Sequence, residues 1–358
     1  MHLEQNVSLK PLHTFGIDVK ARYFVEARTE ADIRSLLNYR HMIFMPILII
    51  GGGSNMLFTK DFEGIVIRIN TKGIETAETG DGHILVTAQA GEVWDEFVDY
   101  CVNHGWAGIE NLSLIPGTVG AAPIQNIGAY GVEVCDIIDS VNMVEIDSGN
   151  HLTLTRDECK FGYRDSIFKN ELKGKVIVTA VTFKLNGIPE YFPEGFQIDN
   201  SSICEHLNAL TLNLDYGNIR EEISAMNITH PGIADVREAV CRIRRRKLPD
   251  PAELGNAGSF FKNPVVDNQI FSTLKEKFPD IPSYPSGNRM KIPAAWLIEQ
   301  CGWKGKRFGD AGVHLNQPLV LVNYGSATGN QILDLSRQII DSVFLKFGID
   351  LVSEVNVY

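Results

Sequence analysis

The sequence predicts a mixed fold of helices and strands divided into two or three domains. The chain has 358 residues, a length at which one hydrophobic core usually gives way to several. Apolar residues make up 44% of the chain and charged residues 22%, as in ordinary globular proteins. A proline-rich segment, LPDPAELG at 248–255, interrupts the pattern of helices and strands and predicts a domain boundary.

Strands and helices alternate in the N-terminal part of the chain. Residues 24–50 predict a strand, then a helix over 30–39 with Thr29 as its N-cap, then a buried strand that runs into Gly51. A helix is predicted over 91–105, because Trp94, Phe97, Val98 and Cys101 recur at helical spacing. Apolar runs predict further strands at 63–72, 83–90, 141–146, 151–155 and 175–185.

The C-terminal part begins with a segment of weak periodicity. Residues 188–213 have mixed composition and are interpreted as an insertion, and Tyr216-Gly217-Asn218 predicts a turn. The last residues, 351–358, alternate as a strand does, with Glu354 near the centre. Between these segments, helices are predicted over 233–247, 294–302 and 330–348, and a strand over 318–323.

A glycine turn, Gly51-Gly-Gly-Ser-Asn55, follows the predicted strand at 46–50. It does not match the dinucleotide-binding fingerprint, because the third glycine would fall at position 56, which is Met56. Backbone N–H groups of such a turn can still bind a phosphate, with side-chain contacts from Ser54 and Asn55. The alternative is a plain turn.

A second glycine-rich stretch runs from Gly108 to Gly131 and has no charged side chain after Glu110. Glycines let backbone N–H groups approach a ligand closely, and Pro116 and Pro123 stiffen the segment. Gln125 and Asn126 offer uncharged donors and acceptors. The segment is long and apolar for a solvent loop, so a cofactor cradle is favoured over a simple connection.

Three polar positions have two interpretations each. Arg164 either pairs with a neighbouring carboxylate, Asp165 or Glu158, or binds a substrate carboxylate with its planar fork. The basic run 244–247 either complements the dipole of its helix or binds a diphosphate or the phosphate of NADP. Glu354 is a solvent-facing strand residue unless a ligand uses it.

Ser259 stands between Gly258 and two phenylalanines, outside any Gly-x-Ser-x-Gly elbow. This context argues against an acyl-transfer nucleophile. A hydroxyl held there could instead give a proton to a reacting carbon.

Composition excludes several other classes. A net charge of −11 argues against a nucleic-acid partner, and no apolar run has the length of a membrane span or the form of a signal peptide, so a cytoplasmic protein is predicted. The nine histidines include no His-x-x-x-His pair and no metal site is predicted. The cysteines lack any Cys-x-x-Cys spacing and are interpreted as small buried residues in a reducing compartment: Cys101, Cys135, Cys159, Cys204, Cys241 and Cys301.

Four motifs in a fixed order give the chain a family resemblance. They are GGGSN at 51–55, IPGTVGAAPIQNIGAYG at 115–131, FGYRDSIFK at 161–169 and NAGSFFKNP at 256–264. With them the chain resembles the UDP-N-acetylenolpyruvoylglucosamine reductases, the MurB family of peptidoglycan synthesis, in its longer form with a tyrosine segment. The likeness runs from His13 to Glu354.

The resemblance implies a fold and a reaction. The fold is α+β: an FAD-binding domain of two α+β subdomains, of the PCMH or vanillyl-alcohol-oxidase type, followed by an α+β substrate-binding domain. NADPH reduces a non-covalent FAD and leaves, and reduced flavin N5 then delivers a hydride to the vinyl carbon of the enolpyruvyl UDP-sugar. We therefore expect a cytoplasmic monomer that binds a UDP-sugar and neither nucleic acid nor a membrane.

The resemblance also implies roles for individual residues. Arg164 would hold the substrate carboxylate and stabilise the enolate, Ser259 would protonate the adjacent carbon, and Glu354 would assist the arginine. Tyr216 would lie near the nucleotide diphosphate, while Lys247, Asn263 and Lys291 would contact the nucleotide or NADPH. The implied FAD contacts are Gly51, Gly52, Gly53, Ser54, Asn55, Pro116, Gly117, Thr118, Gly120, Gln125, Asn126, Gly128, Ala129, Tyr130 and Gly131.

The implied domain division has the FAD-binding domain at 1–187, with subdomains of about 1–72 and 73–187. An insertion and connecting helix follow at 188–247, then the substrate-binding domain at 248–345 and a C-terminal strand at 346–358. Three departures from the family pattern stand out: a long segment at 188–213, Asn356 where an arginine occurs in relatives, and His13 where asparagine is usual.

Two other functions remain open from the sequence. A flavin oxidase on the same cofactor fold would use oxygen as acceptor and often a covalent flavin. A non-catalytic sugar-nucleotide-binding protein is the other, although Arg164, Ser259 and Glu354 together argue against it.

Overall fold

A computed structural model describes residues 2–40, 45–187 and 212–358. By their internal contacts the residues form two compact units. The first unit contains Met1–Leu3, Val25–Gly52 and Val66–Arg244, and the second contains Glu4–Phe24, Gly53–Ile65 and Arg245–Tyr358. The domain division implied by the family resemblance stays a prediction, and the predicted insertion lies outside the described residues except for its last two positions.

Helices and strands are mixed along the described chain. The α-helices are α1 (Glu30–Arg40), α2 (Trp94–Asn103), α3 (Ile219–Ala225), α4 (Ile233–Lys247), α5 (Asn268–Lys277), α6 (Ala294–Gln300) and α7 (Gly329–Phe347). The strands are β1 (Glu4–Ser8), β2 (Lys20–Ala27), β3 (Ile47–Ile50), β4 (Met56–Leu57), β5 (Phe62–Ile69), β6 (Ile74–Glu78), β7 (His83–Gln89), β8 (Gly128–Ala129), β9 (Val132–Glu133), β10 (Ile138–Glu145), β11 (His151–Thr155), β12 (Val176–Asn186), β13 (Gly255–Ser259), β14 (Val265–Asp267), β15 (Tyr284–Ser286), β16 (Arg289–Lys291), β17 (Arg307–Phe308), β18 (Ala311–Val313), β19 (Val320–Asn323) and β20 (Asn356–Val357).

A five-stranded antiparallel sheet organises the first unit, in the order β11-β10-β12-β7-β6. Its central strand β12 is apolar at seven of eleven positions and is buried along most of its length, as expected of a strand covered on both faces. Phe183 of β12 packs against Trp94 and Phe97 of α2, with ring centroids 5.8 and 4.9 Å apart. This aromatic cluster anchors α2, which precedes the glycine-rich segment.

A smaller apolar cluster lies between α3 and α4 in the first unit. Its buried members are Ile219 and Ile223 of α3 with Val236, Val240 and Ile243 of α4, and Tyr130 packs against it. The spacing of the α4 residues follows the helical repeat, which is why this helix presents one apolar face. A tyrosine of the glycine-rich segment is therefore packed against two helices much later in the sequence.

The second unit contains a four-stranded antiparallel sheet, β13-β19-β18-β17, and a three-stranded one, β14-β16-β15. Helix α7 starts with a capping box between Thr328 and Gln331 and stops at Gly348, whose φ of 67° is the left-handed conformation that ends many helices. Phe278, Trp296 and Phe347 form an aromatic cluster beside it. A further four-stranded sheet has the order β1-β2-β5-β3.

Most elements expected from the sequence are present, with shifted ends. The strand expected over 351–358 is wrong in extent: only Asn356–Val357 form a strand, β20, which pairs in parallel with β4. The C-terminal strand segment of the implied domain division, 346–358, begins inside helix α7, which continues through Phe347. Short elements that periodicity did not reveal include α3, α5 and the small strands β14 to β18.

Candidate functional site

Two glycine segments meet back to back in the first unit. A Cβ added to Gly51 would collide with Oγ1 of Thr118, and one added to Gly52 would come within 3.1 Å of Cα of Gly117. The end of strand β3 and the glycine-rich segment are therefore packed backbone to backbone with no side chain between them. Glycine at positions 51 and 52 is therefore required for this close packing, and contact of either segment with FAD stays a prediction.

The remainder of the first glycine turn belongs to the second unit. Gly53 has a φ of 63°, and an added Cβ would lie 2.6 Å from Cα of His13, so only glycine fits this position. Thr14 N donates to the Gly53 carbonyl over 3.1 Å. On the other side of the turn, the Asn55 side chain donates to the Glu354 carbonyl over 3.2 Å, and the Asn356 side chain donates to the Asn55 carbonyl over 3.1 Å.

These last contacts account for Asn356, one of the three departures from the family pattern. Its side-chain amide is directed at the glycine turn, and its main-chain N–H donates to the same Asn55 carbonyl over 3.2 Å. The residue thus fastens the end of the chain to the turn at 51–55.

The middle of the glycine-rich segment is held by the strand β7 region. Val119 N donates to the Glu92 carbonyl and Gly120 N to the Ala90 carbonyl, each over 2.9 Å. A Cβ on Gly120 would lie 2.5 Å from that of Ala90, so glycine is required there for close packing. The Gly120 N–H donates to a protein carbonyl. The contribution of this glycine to the cradle is therefore the close packing that its missing side chain allows.

Three charged residues hold the start of the cradle in a left-handed turn at Leu114, whose φ is 58°. Leu114 N donates to Oδ1 of Asp95 over 2.5 Å, and Nε of Arg244 donates to the Leu114 carbonyl over 3.2 Å. Arg237 of α4 in turn bonds Asp95 through Nη1 over 2.7 Å and Asp99 through Nε over 2.9 Å. A non-glycine residue at positive φ persists only where its surroundings fix it, and here side chains from α2 and α4 do so.

The half-buried carboxyl of Asp95 and the buried carboxyl of Glu110, both near this turn, have pKa values shifted in opposite directions. Burial favours the neutral form of Asp95, but hydrogen bonds from Arg237 and from Leu114 N prevail and lower the pKa of its carboxyl. Burial raises the pKa of Glu110, even though Gly108 N donates to its carboxylate over 2.7 Å. Asp95 is thus the fixed negative charge that pairs with Arg237.

The Asn126 side chain is fully buried and satisfied by protein groups. Its Nδ2 donates to Glu133 over 2.9 Å and to the Gly162 carbonyl over 3.0 Å, and its Oδ1 accepts from Cys135 N over 3.1 Å. The sequence predicted a contact between this amide and FAD. In the structure the amide is directed at the protein, while the main-chain carbonyl accepts from Nη1 of Arg164 over 3.1 Å.

Arg164 is held by backbone carbonyls of the glycine-rich segment. Besides the bond to Asn126, Nη2 donates to the Gly128 carbonyl over 2.6 Å, and the guanidinium lies 5.5 Å from the ring centroid of Tyr163. The residue is half-buried and has a φ of 53°. The sequence left open whether Arg164 pairs with a carboxylate or serves a ligand, and these contacts give it a fixed head group at the wall of the cradle.

Two tyrosines and two glycines interlock at the end of the cradle. A Cβ on Gly131 would collide with the ring of Tyr216, and a Cβ on Gly217 would collide with the ring of Tyr130. Tyr216 is 55% exposed and lies in the turn that the sequence predicted before α3. The structure therefore brings the predicted diphosphate contact, Tyr216, against a predicted FAD contact, Gly131.

Ser259 and Glu354 lie on neighbouring chain segments of the second unit. Ser259 is exposed and ends β13, where a one-residue bulge separates the pairs Asn256–Val322 and Ser259–Val320. Gly258, within the bulge, has a φ of 66°. The next residue, Phe260, accepts at its carbonyl from Glu354 N over 2.8 Å, so the serine and the glutamate are brought together across 95 positions of the chain.

Two of the predicted nucleotide contacts lie on the same side of the second unit. Lys291 pairs with Val265 in the β14–β16 ladder, and Ile292 N donates to the Pro264 carbonyl over 2.9 Å, next to Asn263. The Asn263 side chain accepts from Ala294 N, the first residue of α6, over 2.9 Å. Lys247 is exposed and is the last residue of α4. Asn263 and Lys291 are therefore adjacent.

In residues 2–40, 45–187 and 212–358, no group of three or more His, Cys, Asp or Glu side chains is arranged to hold a metal ion. Within the same residues, no helix combines the length and the apolar composition needed to cross a bilayer.

Comparison with known protein families identifies the class of the protein. Residues 21–155 match the family model described as "FAD binding domain", and residues 250–358 match "UDP-N-acetylenolpyruvoylglucosamine reductase, C-terminal domain". With two bare glycine segments in a mixed α+β fold, the chain is a flavoprotein oxidoreductase whose cofactor is FAD.

Full-length relatives define the family more narrowly. A UDP-N-acetylenolpyruvoylglucosamine reductase of Flavobacterium johnsoniae is 46% identical over 360 residues, covering 100% of both chains. Those of Pseudomonas aeruginosa and Amoebophilus asiaticus are 45% and 46% identical and cover 100% of this chain and 99% of theirs. The chain belongs to the UDP-N-acetylenolpyruvoylglucosamine reductase family.

A solved structure supports the fold. The crystal structure of UDP-N-acetylenolpyruvylglucosamine reductase (MurB) from Thermus caldophilus aligns with a TM-score of 0.65 at 23% identity, and it covers 100% of this chain and 99% of that one. The α+β fold with an FAD-binding domain, which the motifs implied, is thereby confirmed.

Sequence reasoning missed the residues that support the cradle. Asp95 and Arg237 are 142 positions apart, and Asn126 contacts the Arg164 loop across 36 positions. Ordinary local patterns could not have revealed these pairs. The only available signal was that Asp95 falls in the first turn of a predicted helix, where an acidic residue also has a purely local explanation.

Proposed function

We propose that this protein reduces the enolpyruvyl group of UDP-N-acetylenolpyruvoylglucosamine to the corresponding lactyl ether, UDP-N-acetylmuramate, with NADPH as electron donor. The relatives that match end to end at 44–46% identity carry the name of this activity. The structural observation that carries the proposal is the pairing of the Ser259 and Glu354 segments through the Phe260–Glu354 bond of 2.8 Å. A hydroxyl and a carboxylate from distant parts of the sequence thus share one neighbourhood.

The glycine segments at 51–55 and 116–131 hold the cofactor in this proposal. Bound FAD supplies the redox chemistry, since it accepts a hydride from NADPH and gives one to the vinyl carbon of the substrate. The protein residues position the reactants and control charge and protons. The bare backbone at Gly51, Gly52 and Gly117 supports close approach of the cofactor.

Arg164 carries the electrostatic part of the proposal. Addition of a hydride to the vinyl carbon places negative charge on the neighbouring carbon and its carboxylate. A planar guanidinium bonds both oxygens of a carboxylate, and because its head group is already held by two carbonyls, little reorganisation is needed as charge develops. Loss of one such preorganised donor typically raises a barrier by about 2.7–4 kcal/mol.

Ser259 and Glu354 carry the proton transfer. The carbon next to the carboxylate becomes strongly basic once the hydride has been added, so a weakly acidic hydroxyl suffices as the proton donor. Ser259 is exposed at the end of its strand and is therefore accessible to a substrate. Glu354 acts with Arg164 on the enol form of the substrate.

The substrate nucleotide and NADPH are assigned to the remaining polar positions. Tyr216 contacts the diphosphate, and Asn263, Lys291 and Lys247 contact the nucleotide or NADPH. Asn263 and Lys291 are adjacent in the structure, which supports a common ligand for these two. We further propose that the protein works in the cytoplasm as a monomer, with the FAD-binding, connecting and substrate-binding regions divided near residues 187 and 248.

An anaerobic spectroscopic experiment tests the whole function. The purified protein is expected to be yellow, to release FAD on denaturation, and to lose its flavin absorbance when NADPH is added without oxygen. Addition of the enolpyruvyl UDP-sugar should then restore the absorbance with stoichiometric formation of UDP-N-acetylmuramate. Reduced flavin that is reoxidised by oxygen but not by the sugar nucleotide would indicate an oxidase, and a protein that takes up no FAD would contradict the proposal.

A further inference from the structure

We propose that Asn126 is a positioning residue for Arg164 and makes no side-chain contact with the cofactor. The inference rests on the proposed function, because it assigns Asn126 a task through the arginine that binds the substrate carboxylate. Asn126 lies in the glycine-rich segment, where an amide side chain suggests a ligand contact. In the structure Asn126 instead forms hydrogen bonds with the loop that carries Arg164.

Asn126 is connected to that loop twice. The side chain donates to the Gly162 carbonyl over 3.0 Å, and Gly162 also exchanges two main-chain hydrogen bonds with Asp165, which close a tight turn around Tyr163 and Arg164. The main-chain carbonyl of Asn126 accepts from Nη1 of Arg164 over 3.1 Å. One residue therefore holds both the backbone of the Arg164 turn and the guanidinium.

The backbone conformations explain why such a tie is needed. Arg164 has a φ of 53°, a conformation that costs a non-glycine residue free energy and persists only where neighbours enforce it. Asn126 itself has a φ of 47°, which asparagine tolerates better than most residues. The left-handed turn at Arg164 is thus stabilised by a residue that can adopt the same conformation.

The side chain of Asn126 is completely buried and its polar atoms are all used. Glu133 accepts the second Nδ2 bond over 2.9 Å, and Cys135 N donates to Oδ1 over 3.1 Å. A buried amide with donors and acceptor satisfied by protein fixes one arrangement of the surrounding chain. The consequence is a guanidinium fork whose plane is set before the substrate arrives, and misplacement of such a group by about 1 Å can cost about a hundredfold in rate.

The first test is a double-mutant cycle between Asn126→Gly and Arg164→Lys. Glycine accepts positive φ, so Asn126→Gly removes the side chain without straining the backbone. In the wild-type background we expect FAD content and anaerobic reduction by NADPH to be retained and reoxidation by the enolpyruvyl substrate to slow by about tenfold to a hundredfold. In the Arg164→Lys background the same change should slow reoxidation by less than about threefold, because lysine lacks the fork that Asn126 orients. Equal losses in both backgrounds would overturn the inference.

The second test exchanges the donor and acceptor at the Asn126–Glu133 contact. Asn126→Asp leaves two carboxylates facing each other and should impair reoxidation. Asn126→Asp with Glu133→Gln restores a donor–acceptor pair at this contact, but position 126 still lacks the donor to the Gly162 carbonyl, so FAD binding should recover while reoxidation stays slow. Reoxidation of the double variant within a few-fold of wild type would overturn the inference, because it would show that the bond to the Gly162 carbonyl does not orient Arg164. This comparison decides the question even where one single variant fails to fold.

A buried asparagine away from Arg164 provides the matched control. Asn323 in β19 donates to the Phe15 carbonyl over 2.9 Å and accepts from Gly325 N and Ala327 N, so it is also buried and satisfied. Asn323→Asp should lower stability without a selective loss of substrate-driven reoxidation. Failure of wild-type protein to be reoxidised by the substrate would contradict the proposed function, whereas normal wild-type turnover with no coupling in the cycle would contradict only the role of Asn126.

Discussion

The main-chain N–H of Glu354 donates to the carbonyl oxygen of Phe260 over 2.8 Å. Phe260 follows Ser259 directly, so this bond holds the glutamate-bearing segment beside the end of β13. The Ser259 hydroxyl is exposed there rather than packed among the neighbouring phenylalanines, both of which are buried. A role limited to packing is therefore a poor explanation for the serine.

Substitution of Ser259 tests its proposed role as proton donor. Ser259→Ala should leave flavin reduction by NADPH near normal, while substrate-driven reoxidation should fall by at least about a hundredfold, because general acid catalysis contributes about 10²–10⁴-fold. Rapid mixing with the flavin absorbance as signal measures both half-reactions. Ser259→Cys, which retains an acidic proton, should be faster than alanine. Reoxidation of the alanine variant within a few-fold of wild type would remove Ser259 from the mechanism.

Gly128→Ala should displace the Arg164 guanidinium without adding charge. An added Cβ would lie 3.0 Å from Nη1 of Arg164 and 2.9 Å from the Val132 carbonyl, so the arginine or the β8–β9 hairpin must move. We expect the KM for the enolpyruvyl substrate to rise and reoxidation to slow by at least about tenfold, since orientation of a binding group contributes strongly to rate. Steady-state and single-turnover kinetics check this.

Gly149→Ala is the control for Gly128→Ala. Gly149 has open space around its Cβ position, but its φ is 71°, so alanine there tests general backbone strain in the same unit. It should lower stability and leave substrate affinity unchanged. Equal effects of the two changes on reoxidation would refute a specific effect on Arg164.

The ion pair between Asp95 and Arg237 should contribute measurably to stability and to FAD affinity. Arg237→Ala removes three hydrogen bonds to the carboxylates of Asp95 and Asp99, and the Arg237 side chain is largely shielded from water. We expect the free energy of unfolding to fall by about 1.5–3 kcal/mol. Because Asp95 also holds Leu114, the dissociation constant for FAD should rise. Denaturant unfolding of the apoprotein and fluorescence titration with FAD measure the two effects.

Arg242→Ala, on the same helix, is the control. Its partner is Glu238 at (i, i+4), and both side chains are about half exposed, so removal should leave both the free energy of unfolding and the FAD affinity nearly unchanged. Similar losses for both arginines would indicate a general effect on α4 rather than support of the cradle.

His13 should make stability depend on pH below neutrality. Burial lowers the pKa of its imidazole, although the Ile17 carbonyl bonds Nε2 over 3.0 Å, and Nδ1 has no hydrogen-bond partner among the described residues. The unfolded chain therefore binds more protons than the folded one once the pH falls below the ordinary histidine value of about 6.5, and stability is lost there at up to about 1.4 kcal/mol per pH unit.

The comparison of wild type with His13→Asn isolates this contribution. Urea unfolding at several pH values between 7.5 and 5.5 should give a shallower decline for the variant, because asparagine does not titrate. His314 has a pKa lowered by burial as well, so part of the decline should persist until His314→Asn is added. Identical slopes in wild type and His13→Asn would show that the folded protein accommodates the charged imidazole.

The fold followed from sequence where apolar periodicity was long and uninterrupted. The β3 strand, the helices α2, α4 and α7 and the strands β10 to β12 were all expected, because each has to cover one or two faces with apolar residues. The two-residue strands β4, β8, β9, β17 and β20 could not be expected, since a period cannot be recognised over two positions. The length of the C-terminal strand was wrong for a related reason: pairing with β4 begins only at Asn356, and before it Ser353 forms one isolated bridge, with Phe261.

The sequence predicted which residues form the candidate site, but it did not predict the residues that hold them in place. Motifs indicated Arg164, Ser259 and Glu354, yet the roles of these residues remain predictions that the structure only makes geometrically specific. The task of Asn126 was not foreseeable, because an amide in a glycine-rich segment serves a ligand or the protein according to contacts across 36 positions. The positive φ of Leu114 and Arg164 was equally invisible, since neither residue type favours that conformation.

The bond between Asn55 and Glu354 joins residues 299 positions apart. At a translation rate of about 5–20 residues per second, roughly 15–60 s pass between the synthesis of the two. During that interval the Gly51–Asn55 turn lacks the Glu354 and Asn356 contacts that hold it from one side. A nascent chain therefore acquires the completed Gly51–Asn55 turn only after the Glu354 segment has emerged from the ribosome. A chain terminated before Glu354 lacks both the glutamate and the contacts that hold the turn from this side.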